Sequence, residues 1–249
     1  MRIAQIAPLA EAVPPPGYGG TERVVHYLTE ELVREGHQVT LFASGDSSTS
    51  AELVACAPRS LRTDDRVVDP LAHWVVQLEA VAAQAHRFDV LHWHIDYFHF
   101  RMSRRLGVPH LTTLHGRLDL PDLGPVYEEF AEMPVVSISD DQRAPLPSAN
   151  WVATVHHGMP IGDLVPHPVP GEYLAFLGRI SPEKRADRAI EVARRAGMPL
   201  HIAAKVDDQD RDYFEQEIEP LLGADHVNFV GEIGPQEKND FLGRARALL

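Results

Sequence analysis

Along the chain, short apolar runs alternate with segments whose apolar residues recur at helical spacing. Residues 2–7 read as a strand. In the segment 21–35, Val24, Val25, Leu28 and Leu32 share one face of a helix that Gly36 stops. Residues 38–43 read as the next strand, and 71–86 carries Leu71, Trp74, Val75, Leu78 and Val81 on one helical face. Further strands are expected over 90–95, 110–114, 135–138 and 151–155. Short buried strands alternating with helices indicate a parallel sheet covered on both faces.

Periodicity fails between residues 158 and 171, where Gly158-Met159-Pro160 is followed by Pro166-His167-Pro168-Val169-Pro170-Gly171. Beyond it the alternation restarts, with strands over 173–177, 200–204 and 227–230 and helices over 185–196, 211–222 and 237–245. Residues 247–249 look like the opening of one more strand. The pattern therefore divides the chain into residues 1–160 and 171–249. The second part is shorter than the roughly 100–150 residues a doubly wound domain uses, so it is expected to be an incomplete domain.

Composition narrows the function classes. Of 249 residues, 44% are hydrophobic and 24% charged, as in an ordinary globular protein. A net charge of -13 argues against a nucleic-acid binder but leaves room for a phosphate held by a few cations and backbone dipoles. Cys56 is the only cysteine, which excludes an intrachain disulfide and a thiolate zinc site. No apolar run approaches the roughly 20 residues of a membrane span, and the first residues do not read as a signal peptide, so a cytoplasmic location is the default expectation.

Parallel sheets bind ligands outside the carboxyl ends of their strands, and four such places carry chemistry. After the first strand, Pro14-Pro15-Pro16-Gly17-Tyr18-Gly19-Gly20-Thr21 joins two close-approach glycines to a helix N-terminus, suiting either a phosphate or a plain surface loop. It is not a dinucleotide fingerprint, because the third glycine is missing. In Leu91-His92-Trp93-His94-Ile95-Asp96, the residues His92, His94 and Asp96 share a strand face, with His99 nearby. That arrangement suits a polar pocket wall or a metal-dependent hydrolase site. His115, before Gly116 at another strand end, suits hydrogen bonding to a hydroxyl, acid–base work or a structural role. The most specific segment is Gly178-Arg179-Ile180-Ser181-Pro182-Glu183-Lys184-Arg185. There Arg179 leaves a strand and Lys184 sits where the next helix begins, so the two cations are expected to converge on a diphosphate.

Taken together, Gly17-Tyr18-Gly19-Gly20-Thr21-Glu22-Arg23, Glu35-Gly36-His37-Gln38-Val39-Thr40-Leu41, Thr113-Leu114-His115-Gly116, Val136-Ser137-Ile138-Ser139, Gly178-Arg179 with Lys184, and Val227-Asn228-Phe229-Val230-Gly231-Glu232 resemble family 4 of the nucleotide-sugar-dependent glycosyltransferases. The resemblance implies an α/β chain of GT-B type, with two Rossmann-like doubly wound parallel-sheet domains facing across a cleft, the second one incomplete here. It implies a retaining, metal-independent transfer from a nucleotide-diphosphate sugar donor, bound mainly by the second domain, to an acceptor hydroxyl on the first. The acceptor class, whether glycan, lipid-linked or small molecule, stays open. No cofactor is implied beyond the donor itself.

By residue, the resemblance implies that Arg179 and Lys184 neutralise the departing diphosphate and that Gly19 and Gly20 close over the donor phosphate or the acceptor. His115 would touch the transferred sugar, and backbone around Gly231, Glu232 and Ile233 would hold the base. His94, Asp96 and Ser139 complete the expected substrate pocket. The sequence departs from the family at Arg185, where a glycine commonly follows the lysine, and at His157-Gly158, where Asn-Gly is common. The family's spaced pair of glutamates is expected beyond Leu249. Weak transfer or none is therefore expected of this form, with a non-catalytic nucleotide- or sugar-binding chain as the alternative. An unpaired edge on the unfinished sheet could promote self-association.

Overall fold

The computed structural model describes the backbone of residues 1–249 and the side chains of all but residues 163 and 235. The chain forms two compact units, Met1–Pro15 with Gly19–Pro160, and Pro16–Tyr18 with Ile161–Leu249.

The first unit is built on seven strands: β1 (Arg2–Ile6), β2 (Gln38–Ser44), β3 (Glu52–Ala57), β4 (Val90–Trp93), β5 (His110–Thr113), β6 (Val135–Ser137) and β7 (Trp151–Thr154). Their order is β3-β2-β1-β4-β5-β6-β7, and every neighbouring pair is parallel. The chain winds outward from β1 to β3, then returns to the other side of β1 and winds out again to β7. Connections therefore diverge between β1 and β4, and that switch point is where a parallel sheet leaves room for a ligand.

Helices α1 (Gly20–Arg34), α2 (Pro70–Gln84), α3 (Phe100–Leu106), α4 (Leu123–Glu129) and α5 (Asp140–Arg143) supply the connections. Alternation along β2 shows both faces covered. Phe42 packs with Ile6, Trp93 and Val81 of α2, whereas Leu41 and Ala43 pack with Val25 of α1. Inside these layers Gln77 of α2 is fully buried and donates Nε2 to the Ala7 carbonyl at 2.8 Å, while its Oε1 has no partner.

The second unit carries β8 (Tyr173–Arg179), β9 (Leu200–Lys205), β10 (Val227–Gly231) and β11 (Ala245–Leu248) in the parallel order β10-β9-β8-β11. On one face Leu174, Phe176, Leu200 and Ile202 pack against Ala189, Ile190 and Ala193 of α6 (Ala186–Ala196). The other face places Tyr173, Ala175 and Ala203 against Ile233 and Phe241. The segment expected as one helix over 211–222 is instead a short α7 (Arg211–Tyr213), a π turn (Phe214–Ile218) and a 3-10 turn (Glu219–Leu221). Pro220 lacks the N–H that a continuous α-helix needs there, and the ladder loosens one turn before it. The last helix, α8 (Pro235–Gly243), begins and ends two residues before the expected 237–245.

Three short helices and one strand lie outside the periodicity reading. Strand β3 buries only Cys56 and Ala57, as an edge strand does, so it lacks a continuous apolar run. Helices α3, α4 and α5 have 7, 7 and 4 residues, too few turns for a helical repeat to declare itself.

Arg185 precedes α6 in a left-handed conformation, with φ 56° and ψ 47°. That is the physical reason a glycine suits this position. Left-handed backbone costs an L-residue about 1–2 kcal/mol, while glycine's extra freedom when unfolded costs about 0.5–1 kcal/mol. Arg185→Gly is therefore expected to hold stability level or raise it by up to about 1.5 kcal/mol, read from urea midpoints. A loss greater than about 1 kcal/mol contradicts the strain account.

Candidate functional site

At the switch point of the first unit, Gln5 of β1 pairs in register with His92 of β4. Gln5 is fully buried, a polar side chain among the apolar Ile3, Ala4 and Ile6 of β1. Its Oε1 lies 2.7 Å from His94 Nε2, and its Nε2 lies 3.3 Å from His92 Nδ1. His92 Nε2 is 2.8 Å from Thr113 Oγ1 at the end of β5. In the other direction, His94 Nδ1 is 2.9 Å from His115 Nε2, and His115 Nδ1 is 3.1 Å from His157 Nε2. Four imidazoles thus form one file, running from the buried sheet edge to an exposed residue beyond β7.

One amide orders this file. A carboxamide oxygen only accepts and its nitrogen only donates, so His94 must donate from Nε2 and His92 must accept at Nδ1. A neutral His94 then accepts at Nδ1 from His115 Nε2–H, and a neutral His115 accepts at Nδ1 from His157 Nε2–H. Neutrality follows from burial. It pushes His94 well below the ordinary histidine range, His92 to about 4 and His115 to about 3, with neighbouring imidazoles adding to the effect on His94 and His115.

The file also settles what these residues do not do. Both nitrogens of His92 and of His94 are turned to protein partners, so the His92–His94–Asp96 metal site is not formed. Among the described residues, no group of three or more His, Cys, Asp or Glu is arranged to hold a metal ion. His99 is equally committed: it is buried, stacked on Trp93 at 4.3 Å, and bonded to Ser103 and Thr112 at 2.8 Å each. His115 lies at the end of its strand as expected, but neighbours take up both of its ring nitrogens.

Around the file, loops at the carboxyl edge are pinned by side chains. Gln142 of α5 accepts from Ile138 N at 2.9 Å and donates to the carbonyls of Leu114 and Gly116 at 3.0 and 2.9 Å, clamping the backbone on either side of His115. Ser139 is spent as the N-cap of α5, accepting from Gln142 N at 3.1 Å. Asp96 has φ 53° and a carboxyl raised in pKa by burial, and its charge bears on the buried Tyr127 hydroxyl, which has no partner. Gly19, at φ 147°, is required by its backbone, since a Cβ there would lie 2.7 Å from Pro15 Cβ. Gly20, the first residue of α1, has open space where a side chain would stand.

In the second unit Arg179 ends β8. It donates Nη2 to Glu183 at 2.7 Å, Nη1 lies 3.6 Å from Asp207, and Nε lies 3.3 Å from Asp210. The last approach is misaligned, leaving Nε and Asp210 Oδ2 buried without a formed hydrogen bond. Burial opposes the charge on Arg179, but the Glu183 hydrogen bond and the Asp210 field outweigh it and raise its pKa. The Lys184 side chain is exposed, and its backbone N–H closes a turn onto Ser181 O at 3.0 Å. Sequence reasoning puts two cations together; the structure adds three carboxylates it did not foresee, all directed at Arg179.

At the end of β10, beyond β9, Gly231 has φ 82°, the exposed Glu232 accepts from Tyr18 N at 3.1 Å, and the Ile233 side chain is buried with Tyr173 and Phe241. Lys205, at the end of β9, pairs with Asp207 at 3.0 Å.

Comparison with known proteins agrees with this architecture. Residues 18–135 match the family model described as Glycosyltransferase Family 4. The whole chain superposes on 68% of AviGT4, a glycosyltransferase involved in avilamycin A biosynthesis, with a TM-score of 0.69 and 21% identity. It likewise covers 74% of sucrose-phosphate synthase from Thermosynechococcus elongatus (TM-score 0.74, 16% identity). It also covers 77% of the catalytic domain of starch synthase IV from Arabidopsis thaliana bound to ADP and acarbose (TM-score 0.66, 12% identity). At these identities the likeness is one of fold: two parallel-sheet α/β units of GT-B type, over part of the length of those chains. No curated protein matches the sequence. No helix among the described residues is long and apolar enough to cross a membrane.

The neutral file makes stability depend on pH. When unfolded, His92 and His115 titrate near 6.5, above their folded values of about 4 and about 3. Between those limits the unfolded chain binds protons that the native chain does not, so stability rises with pH. Their contribution is complete above about pH 6.5 and is lost as pH falls toward 4, by up to about 1.4 kcal/mol per pH unit for each neutral ring. His92→Gln is expected to flatten the fall in urea midpoint between about pH 7 and about pH 5. An unchanged slope contradicts the neutral assignment.

Proposed function

We propose that this chain, whose residues 18–135 match the family model described as Glycosyltransferase Family 4, acts in retaining transfer of a sugar from a nucleotide-diphosphate sugar to an acceptor hydroxyl. The donor is held by the second unit and the acceptor by the first. The observation that carries this reading is Arg179 at the carboxyl end of β8, immediately ahead of the turn bearing Lys184 and the start of α6. As the sugar–phosphate bond breaks, negative charge grows on the leaving diphosphate. Fixed cations and helix amides stabilise that charge more than they stabilise the ground state.

The carboxylates around Arg179 fit such a role. Glu183 is exposed, and an exposed ion pair contributes only about 0–1 kcal/mol, so a diphosphate can take its place. Asp207 and Asp210, more buried, hold the guanidinium in orientation while that exchange occurs. The backbone at Gly231, Glu232 and Ile233 holds the base. In the first unit Gly19 and Gly20 bring backbone close to a phosphate or acceptor, and Asp96 and Ser139 belong to the polar wall, with the buried His94 behind His115. The scheme requires no metal.

Calorimetry with uridine, guanosine and adenosine diphosphates and their sugars tests this reading. One of them is expected to bind, and Arg179→Ala or Lys184→Ala to weaken it at least about tenfold, or about 1.4 kcal/mol. Where transfer is measured, either substitution is expected to lower turnover about 100-fold, as loss of one transition-state donor does. Unchanged binding and turnover in both variants removes the assigned role.

A further inference from the structure

We infer that His157, rather than His115, presents the hydrogen-bonding edge of the first unit's site to an incoming sugar hydroxyl. The argument rests on counting ring nitrogens. His92 uses its two on Gln5 and Thr113, His94 on Gln5 and His115, and His115 on His94 and His157. His157 uses only Nε2, on His115, and its side chain is exposed. Among the described residues, its Nδ1 is the one nitrogen of the file with no protein partner.

The state of that nitrogen follows from the far end of the file. Gln5 Oε1 makes His94 a donor at Nε2, and the sequence of neutral rings carries this outward until His157 donates at Nε2 and keeps a lone pair at Nδ1. The open edge is therefore an acceptor, the complement of a hydroxyl group. Burial lowers the His157 pKa as well, so the lone pair is available at neutral pH. The rings of His115 and His157 meet edge to edge, with centroids 5.2 Å apart and planes 28° apart, which sets the open edge on the side of His157 away from His115. His115 becomes a positioning residue, held by the Gln142 clamp on its backbone and by His94 on its ring. The sugar hydroxyl as ligand rests on the glycosyltransferase reading; the identity of the open nitrogen does not.

The test uses the 249-residue protein labelled with nitrogen-15 in its histidines and titrated with methyl α-D-glucopyranoside as a hydroxyl-bearing probe. The His157 Nδ1 resonance is expected to move saturably while both His115 nitrogens stay in place. His157→Ala, at an exposed position, opens His115 Nδ1, and the response is expected to transfer to that nitrogen. Movement of His115 in the unsubstituted protein, or no movement of His157, overturns the inference. The two readings fail separately. If no nucleoside diphosphate or nucleotide sugar binds in calorimetry while His157 still responds, the glycosyltransferase reading falls and this one stands; the reverse pattern removes this one alone.

Discussion

The Gln5 side chain is an amide buried in the middle of a parallel sheet, and the rest of the first unit's chemistry is arranged around satisfying it. A buried amide left unpaired costs about 1–3 kcal/mol, so both of its ends must find partners. The β1–β4 register supplies one partner directly in His92, and the chain's exit from β4 supplies the other in His94. Because an amide has one accepting and one donating end, it does more than fill space: it assigns a direction to every imidazole that follows. Thr113 and His115, from the end of β5, and His157, from beyond β7, then meet because the parallel order brings these strand ends to one edge of the sheet.

Much of the fold was legible in the alternation of apolar runs, because buried parallel strands and amphipathic helices leave different periods. The strands at 2–7, 38–43, 90–95 and 173–177 correspond to β1, β2, β4 and β8 within two residues at each end. What stayed hidden had physical reasons. Strand β3 is half exposed, α5 is a single turn, and Pro220 breaks a segment whose apolar spacing still reads as helical. At the site, His94 and His115 were legible as polar residues at strand ends, but their partners were not. Gln5 did carry a signal, a polar residue among the apolar Ile3, Ala4 and Ile6. His157 carried none beyond its departure from an Asn-Gly pattern, since it lies 42 positions from His115 in the chain.

The second unit illustrates the opposite limit. Arg179 and Lys184 are recognisable from spacing alone because a strand exit and a helix start fix where they stand. The carboxylates of Asp207 and Asp210 reach Arg179 from the loop after β9, and nothing in the local sequence around Arg179 announces them. Their presence changes the electrostatics at Arg179 from a free cation to a guanidinium surrounded by carboxylates. Arg185 shows how a departure from a family pattern becomes interpretable once φ is known, because its left-handed backbone is the conformation that glycine adopts without strain.

Neutron diffraction from deuterium-exchanged crystals at neutral pH tests the ordering of the file by Gln5 most directly. The account predicts deuterium on Nε2 of His92, His94, His115 and His157, and bare Nδ1 atoms throughout. Deuterium on Nδ1 of His94 or His115 would contradict it, because the file would then run opposite to the direction that Gln5 Oε1 facing His94 Nε2 imposes.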